Sequence, residues 1–147
     1  MITGSVSPDM ITRSLDGPGT FDADGWLDVL VIGFPGKEAA WFRNPGTAGG
    51  HWPRHLVFAE VGSESPTFGD LLGTGSPVLI CLQQGRFGYA QPVAGDPTAP
   101  WMFHAITPPS TWNAFTHGLG FGDVNGDGRA DLLMGEGWWE QPATRDG

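Results

Sequence analysis

A nine-residue stretch that sets oxygen-bearing side chains on alternate positions constrains this chain more than any other. In Asp123-Val124-Asn125-Gly126-Asp127-Gly128-Arg129-Ala130-Asp131, the acids and the amide fall at 123, 125, 127 and 131, with glycines at 126 and 128. Alternate side chains point inward, the glycines permit a sharp turn, and the Arg129 carbonyl supplies a further oxygen. Ca²⁺ takes six to eight oxygens and tolerates uneven geometry, which such a loop offers. Without a cation the clustered carboxylates Asp123, Asp127 and Asp131 repel one another, and a bound ion reverses that. The pattern predicts a calcium loop. The plain alternative is a solvated Asp/Asn/Gly turn, adopted for conformational reasons alone.

The residues after the loop decide which kind it is. A helix–loop–helix calcium site needs a bidentate Glu at the twelfth position, where this chain has Met134. The run Leu132-Leu133-Met134-Gly135-Glu136-Gly137-Trp138-Trp139 is too short and too glycine-broken for a helix. It predicts a strand, a tight turn and a second strand. Asp131 then opens a strand, and the ion staples a β-hairpin.

The loop recurs. Gly19-Thr20-Phe21-Asp22-Ala23-Asp24-Gly25-Trp26-Leu27-Asp28 is a first copy, and Gly69-Asp70-Leu71-Leu72-Gly73-Thr74-Gly75-Ser76-Pro77-Val78 a second. Aligning Gly25, Gly75 and Gly128 equates Thr20, Asp70 and Asp123, at intervals of 50 and 53 residues. Two further landmarks keep the same phase: Asn44-Pro45, Gln91-Pro92 and Gln141-Pro142, then Trp52-x-x-His55 and Trp101-x-x-His104. A period near fifty with about four short strands per unit predicts β-propeller blades. Within a unit we expect an inner strand running into the loop, as from His117 to Asp123. A strand follows the loop, then one bearing an aromatic pair (Trp41-Phe42, Gly88-Tyr89, Trp138-Trp139), and an outer Trp-x-x-His strand. Packing between blades uses large flat side chains, which accounts for many of the seven tryptophans.

The copies differ in their ligands. Asp22, Asp24 and Asp28 match Asn125, Asp127 and Asp131, with the Trp26 carbonyl in the place of Arg129, but Thr20 replaces the first acid. Lower ligand charge predicts weaker binding there. In the second copy only Asp70 remains, so that hairpin must stand without metal.

Composition sets the outer bounds. With 147 residues, 39% hydrophobic, the chain supports one modest core. Gly 24 and Pro 13, with no sustained helical pattern, favour an all-β fold of short strands. The net charge of −9 argues against nucleic acid and anionic membranes as partners. Cys81 lies in an apolar run and is expected to be a buried free thiol. Neither a signal peptide nor a membrane-spanning stretch is visible.

These residues resemble the FG-GAP/VCBS repeat family, the calcium-loop propeller blades also found in integrin α-subunit heads. The carrying pieces are Gly120 to Leu132, Asp22 to Asp28, and the reduced Phe68-Gly69-Asp70. The resemblance covers about residues 17 to 142 and implies an all-β partial propeller of about three four-stranded antiparallel blades. It implies repeats at about 10–58, 59–107 and 108–147 (the last incomplete), a fragment of a larger, seven-bladed ring, calcium in the loops, and an adhesion or scaffold role. An extracellular or periplasmic setting goes with it. Further blades of a parent chain, or self-association, are expected to close the ring. A protein or carbohydrate ligand is the expected partner, with exposed Trp26 or Trp112 as stacking surfaces for a glycan.

One pair stands outside the loops. Repeat alignment sets Glu64 opposite His117, each six residues ahead of its aspartate, with Ser14 in the first unit. A Glu and a His at the channel mouth can hold a transition metal or act as an acid–base pair. Such a channel resembles that of sugar-processing dehydratases of the aldos-2-ulose class. The alternative is a turn cap beside a solvated acid. His55 and His104 share a strand landmark and are expected to pack, and His51 to lie at the surface. No nucleophile elbow, phosphate loop or zinc spacing is present.

Overall fold

The computed structural model describes residues 11–14 and 21–144, the first four by their backbone. Ten strands run in chain order: β1 (Ile11–Ser14), β2 (Val29–Ile32), β3 (Lys37–Phe42), β4 (Arg54–Gly69), β5 (Val78–Gln83), β6 (Arg86–Gln91), β7 (Met102–Ala105), β8 (Gly120–Gly122), β9 (Asp131–Met134) and β10 (Gly137–Trp139). Among the described residues the helical content is one 3₁₀ turn at Gly46–Ala48. Every strand pairs antiparallel with its chain neighbour, giving an open seven-stranded sheet β1 to β7 and an open three-stranded sheet β8 to β10. The all-β expectation holds. Among the described residues both sheets are open at their edges and do not form a closed ring.

β4 joins two four-stranded meanders. Its first half pairs with β3, from Phe42↔Arg54 to Lys37↔Val61. Its second half pairs with β5, from Gly62↔Leu82 to Gly69↔Val78. The ladder shifts register between Gly62 and Thr67, and buried Ser63 takes a φ of 77° there. A left-handed serine is costly. It is held by its own hydroxyl, which donates to the Thr116 carbonyl and accepts the Ser65 amide. The outer strand of one meander thus turns into the inner strand of the next with no intervening loop.

Two apolar clusters fill the spaces between successive meanders. The first gathers Phe21, Trp41, Val57, Phe68, Leu79, Cys81 and Trp101. Phe21 meets Trp41, Phe68 and Trp101 edge-on, with centroids 5.1–5.9 Å apart, the geometry the ring quadrupole favours. The second gathers Val78, Ile80, Leu82, Phe87, Leu119, Leu132 and Met134. Alternate residues of β5 enter opposite clusters, and Val78 to Leu82 are all buried. A strand covered on both faces reads as a continuous apolar run, since neither face meets water.

β8 is shorter than the strand expected from His117 to Asp123. The Thr116 carbonyl accepts from Glu64 N and Ser63 Oγ, and Gly118 adopts a φ of 80°. Those residues tie the segment to β4, and pairing with β9 starts only at Gly120↔Leu133.

Candidate functional site

The three loops share one backbone course. The fourth position is left-handed in each, at Ala23 (φ 60°), Gly73 (φ 63°) and Gly126 (φ 79°), and the sixth again at Gly25, Gly75 and Gly128 (φ 80–88°). Side-chain oxygens of the fifth residue accept the amide of the seventh: Asp24 from Trp26 at 2.9 Å, Thr74 from Ser76 at 3.3 Å, Asp127 from Arg129 at 2.9 Å. Asp123 and Asp70 accept the same pair of amides. Asp127 N and Gly128 N reach Asp123 at 3.1 and 2.8 Å, and Thr74 N and Gly75 N reach Asp70 at 2.9 and 2.8 Å. The second loop holds this shape with Leu72 and Val78 in two of the expected ligand places. Local hydrogen bonds and left-handed residues are therefore sufficient to form the turn.

The ninth position works differently from the rest. Asp131 is fully buried, and its two oxygens accept Val124 N and Gln141 N, both at 2.9 Å. Asp28 is likewise buried and accepts Phe21 N at 2.9 Å and Asn44 N at 2.8 Å. Each carboxylate binds the start of its loop to the turn that follows the next strand but one. Burial pushes the Asp28 carboxyl above its usual range, opposed by the Asn44 and Phe21 amides. These latches were missed by reasoning from sequence. The recurring Asn44-Pro45 and Gln141-Pro142 pairs were the signal.

Arginines serve as counterions. Arg129 donates Nε to the Gln141 carbonyl at 2.9 Å and pairs with Asp127 through its terminal nitrogen. In the first loop Arg43, at the first residue after β3, reaches Asp22 at 2.5 Å and Asp24 at 3.4 Å. The Arg129 amide, ahead of the guanidinium, holds the Asp127 carboxyl below its usual range. Thr20, which replaces the first acid in this copy, lies outside the described residues.

Among the described residues no three His, Cys, Asp or Glu side chains converge closely enough to hold a metal ion. The donors nevertheless fit a hard cation in kind. Asp123 Oδ2, Asn125 Oδ1, Asp127 Oδ1 and both Asp131 oxygens each accept one hydrogen bond within the described residues. A carboxylate or amide oxygen offers about two acceptor sites, so one hydrogen bond does not exhaust any of them. The loop lies open to solvent from Val124 to Gly128.

Residues 115–145 match the FG-GAP repeat. The match takes in the acid loop, β8, β9 and β10, the part of the chain where the spacing is most complete. No curated protein and no solved structure matched the chain. The two upstream loops carry the same turn as the FG-GAP repeat without lying in the matched stretch.

Glu64 and His117, paired on repeat alignment, do meet: His117 Nδ1 stands 2.8 Å from Glu64 Oε2. The His117 side chain is 76% exposed. Ser14 has no described side chain. His55 stacks on Trp41 and His104 on Tyr89, with centroids 4.6 and 4.8 Å apart, the packing role expected of them. His51 is exposed. Trp26 is 46% exposed, and its indole lies against Gly46, where a Cβ would come within 2.6 Å of Nε1. Trp112 packs between Phe87 and Trp139 rather than standing free. Cys81 is a buried free thiol, pushed up to about 12 by burial.

Proposed function

We propose that this chain is a calcium-braced interaction module built of propeller-type blades. Asp123, Asn125, Asp127, the Arg129 carbonyl and Asp131 would hold the ion in the third loop. Asp22, Asp24, the Trp26 carbonyl and Asp28 would form a second, weaker set. The supporting observation is a repeated turn whose oxygens keep acceptor capacity, in the stretch that matches the FG-GAP repeat. Bound calcium supplies charge compensation for the loop acids, a role Arg129 and Arg43 fill in this arrangement. The ion therefore competes with the guanidinium for Asp127, and its effect is to rigidify a hairpin whose course is already set. A partner is a protein or a neutral carbohydrate rather than nucleic acid, given the charge of −9.

The test is a thermal melt in calcium and in chelator, with calorimetric titration of the metal-free chain. Calcium should raise the midpoint, and Asp127→Ala should remove most of that rise. Curves that superimpose in calcium and chelator would dismiss the proposal.

A second reading rests on the Glu64–His117 contact. In it the pair belongs to a lyase-like site on a sugar, where it would hold a transition metal or act as an acid–base pair. It predicts a second metal, bound by imidazole and carboxylate, that survives mild calcium chelation and disappears in His117→Ala. Elemental analysis finding calcium alone would remove it.

A further inference from the structure

Two of the three left-handed residues other than glycine among the described residues border one groove. Ala23 belongs to the first loop. Ser63 (φ 77°) follows Gly62 in the groove wall, and Gln84 (φ 48°) lines the groove itself. Gln84-Gly85 is the two-residue turn between β5 and β6, closed by the Gln83↔Arg86 pair, with both turn residues left-handed. Such turns favour Asn, Asp or Gly, and a glutamine there is strained. A third irregularity lies in the same lining. Between Ala39↔Phe58 and Lys37↔Val61, β4 sets Ala59 and Glu60 against Glu38 alone, a bulge of the kind that re-aims side chains. Strain persists where the surrounding structure holds it in place, and it clusters at ligand clamps and active sites.

The groove has a volume of about 590 Å³, within the roughly 300–1,000 Å³ of small-molecule sites. Phe58 and Trp112 give it apolar surface, while Glu60, Gln83, Gln84 and Asn113 give it polar groups. These groups are set in place by the fold. Gln83 Nε2 donates to the Glu60 carbonyl at the bulge. Asn113 belongs to a tight turn in which its Oδ1 accepts Phe115 N at 2.9 Å, its N–H donates to Thr116 Oγ1 at 3.1 Å and its carbonyl accepts Thr116 N at 3.0 Å. Among the described residues, Asn113 Nδ2 and the Gln84 side-chain amide form no hydrogen bond, so both are available to a ligand. No Lys, Arg or His lines the groove, which argues against a phosphate or carboxylate as its anchor. β4 and β5 are each paired on both sides, so these walls offer a peptide no strand edge to extend. Amide donors and acceptors beside flat apolar walls suit a ring that carries hydroxyls around an apolar face.

We propose that this groove binds a neutral oligosaccharide, with Gln84 and Asn113 hydrogen-bonding its hydroxyls and Trp112 supplying apolar surface. Gln84 is then strained because the turn presents a hydrogen-bonding side chain where glycine would relieve the backbone. The inference rests on the interaction-module reading and names its ligand class, but no step in it passes through calcium. The groove turn stands at the far end of β5 from the second loop, six residues or roughly 20 Å away.

The experiment titrates the isotope-labelled full chain with neutral gluco-, manno-, xylo- and galacto-oligosaccharides, in calcium and in chelator. Heteronuclear NMR reads the side-chain amides of Gln83, Gln84 and Asn113 and the Trp112 indole. Saturable shifts of these signals are expected with at least one series. Gln84→Gly should weaken that binding about tenfold while raising the melting midpoint, because glycine adopts the left-handed turn freely. Binding lost from a stabilised chain cannot be ascribed to unfolding. Asn113→Asp keeps the oxygen that caps Phe115 and removes the Nδ2 donor, so it should weaken binding by about the same factor with an unchanged melting curve. Sugar binding in chelator without a calcium-induced rise in midpoint would support the groove and fail the calcium reading. A calcium-induced rise with no saturable shift from any series would do the reverse and overturn the groove. Undiminished binding by Gln84→Gly and Asn113→Asp, or tighter binding of oligogalacturonates than of neutral sugars, would also overturn it. So would a pool of neutral octapeptides that shifts these signals where the sugars do not, which would assign the groove to a polypeptide.

Discussion

Asp131 accepts the backbone N–H of Gln141 at 2.9 Å, so a buried carboxylate at the head of β9 fixes the turn beyond β10. Its second oxygen holds Val124 N. Truncation strands both amides, and a donor left without a partner in a buried setting costs about 1–3 kcal/mol. Asp131→Ala should therefore destabilise the chain by roughly 2–4 kcal/mol, and Asp131→Asn, which keeps one acceptor, by less. The latch does not involve an ion, so the loss should appear in urea unfolding with chelator present. A variant that melts like the parent in chelator would show that the carboxylate matters only when metal is bound.

The acid spacing, the strand after the loop and the Glu64–His117 contact were all legible in the sequence. They follow from alternation and from a repeat in phase, which residue order records directly. The latches were hidden because the partners of Asp28 and Asp131 are backbone amides, which every residue carries, at unequal distances of 16 and 10 residues. The continuity of β4 was hidden for another reason. Gly62 and Pro66 look like a turn, yet the chain passes through with one left-handed serine, because Thr116 from a distant segment supplies the bonds that hold it. The expected length of β8 failed on the same contact, seen from the other side.

Arg129 is the loop's own counterion, and removing its side chain separates two effects. In chelator, Arg129→Ala loses the Asp127 pair and the bond to the Gln141 carbonyl, and should lower stability by about 1 kcal/mol. Toward calcium it should bind modestly more tightly, since removal of the guanidinium frees Asp127 for the ion while the exposed pair itself contributes little. The Asp127 carboxyl should still titrate below its ordinary range, because its largest stabilising partner is the Arg129 amide, which alanine keeps. Calorimetry and a carboxyl NMR titration read the two parts. Weaker calcium binding in this variant would mean that the guanidinium helps the site rather than contesting it.

Asp70 offers the control for a loop without an acid set. It caps Thr74 N and Gly75 N as Asp123 caps its own loop. Asp70→Ala should cost about 1 kcal/mol, by the same amount in calcium and in chelator. A calcium-dependent difference would place an ion in the second loop, where Leu72 and Val78 leave no ligands.

Cys81 ties pH to stability through burial. Its thiol is pushed up to about 12 in the folded chain from 9.0. Below the lower value the thiol is neutral in both states and its contribution is complete. As pH climbs between about 9 and about 12 the unfolded thiol ionises first, so stability falls across that window. Cys81→Ala should flatten this part of the profile, at the expense of a small cavity. Reaction with a thiol reagent at pH 8 should follow the global unfolding rate; labelling in seconds under native conditions would contradict the burial of this side chain.

Ala23 supplies the remaining prediction, because it is the odd residue at a bend that the three loops share. Its φ of 60° matches Gly73 and Gly126 at the same place, and a left-handed alanine costs about 1–2 kcal/mol through the clash of Cβ with the following carbonyl. Glycine removes that clash but gives back about 0.5–1 kcal/mol in unfolded-chain entropy. Ala23→Gly should accordingly stabilise the chain by up to about 1 kcal/mol, measured by urea unfolding with chelator present. The gain should come without any change in the Asp28 latch, whose bonds to Phe21 and Asn44 lie outside the bend. A destabilised glycine variant would mean that the first loop does not follow the course of the other two.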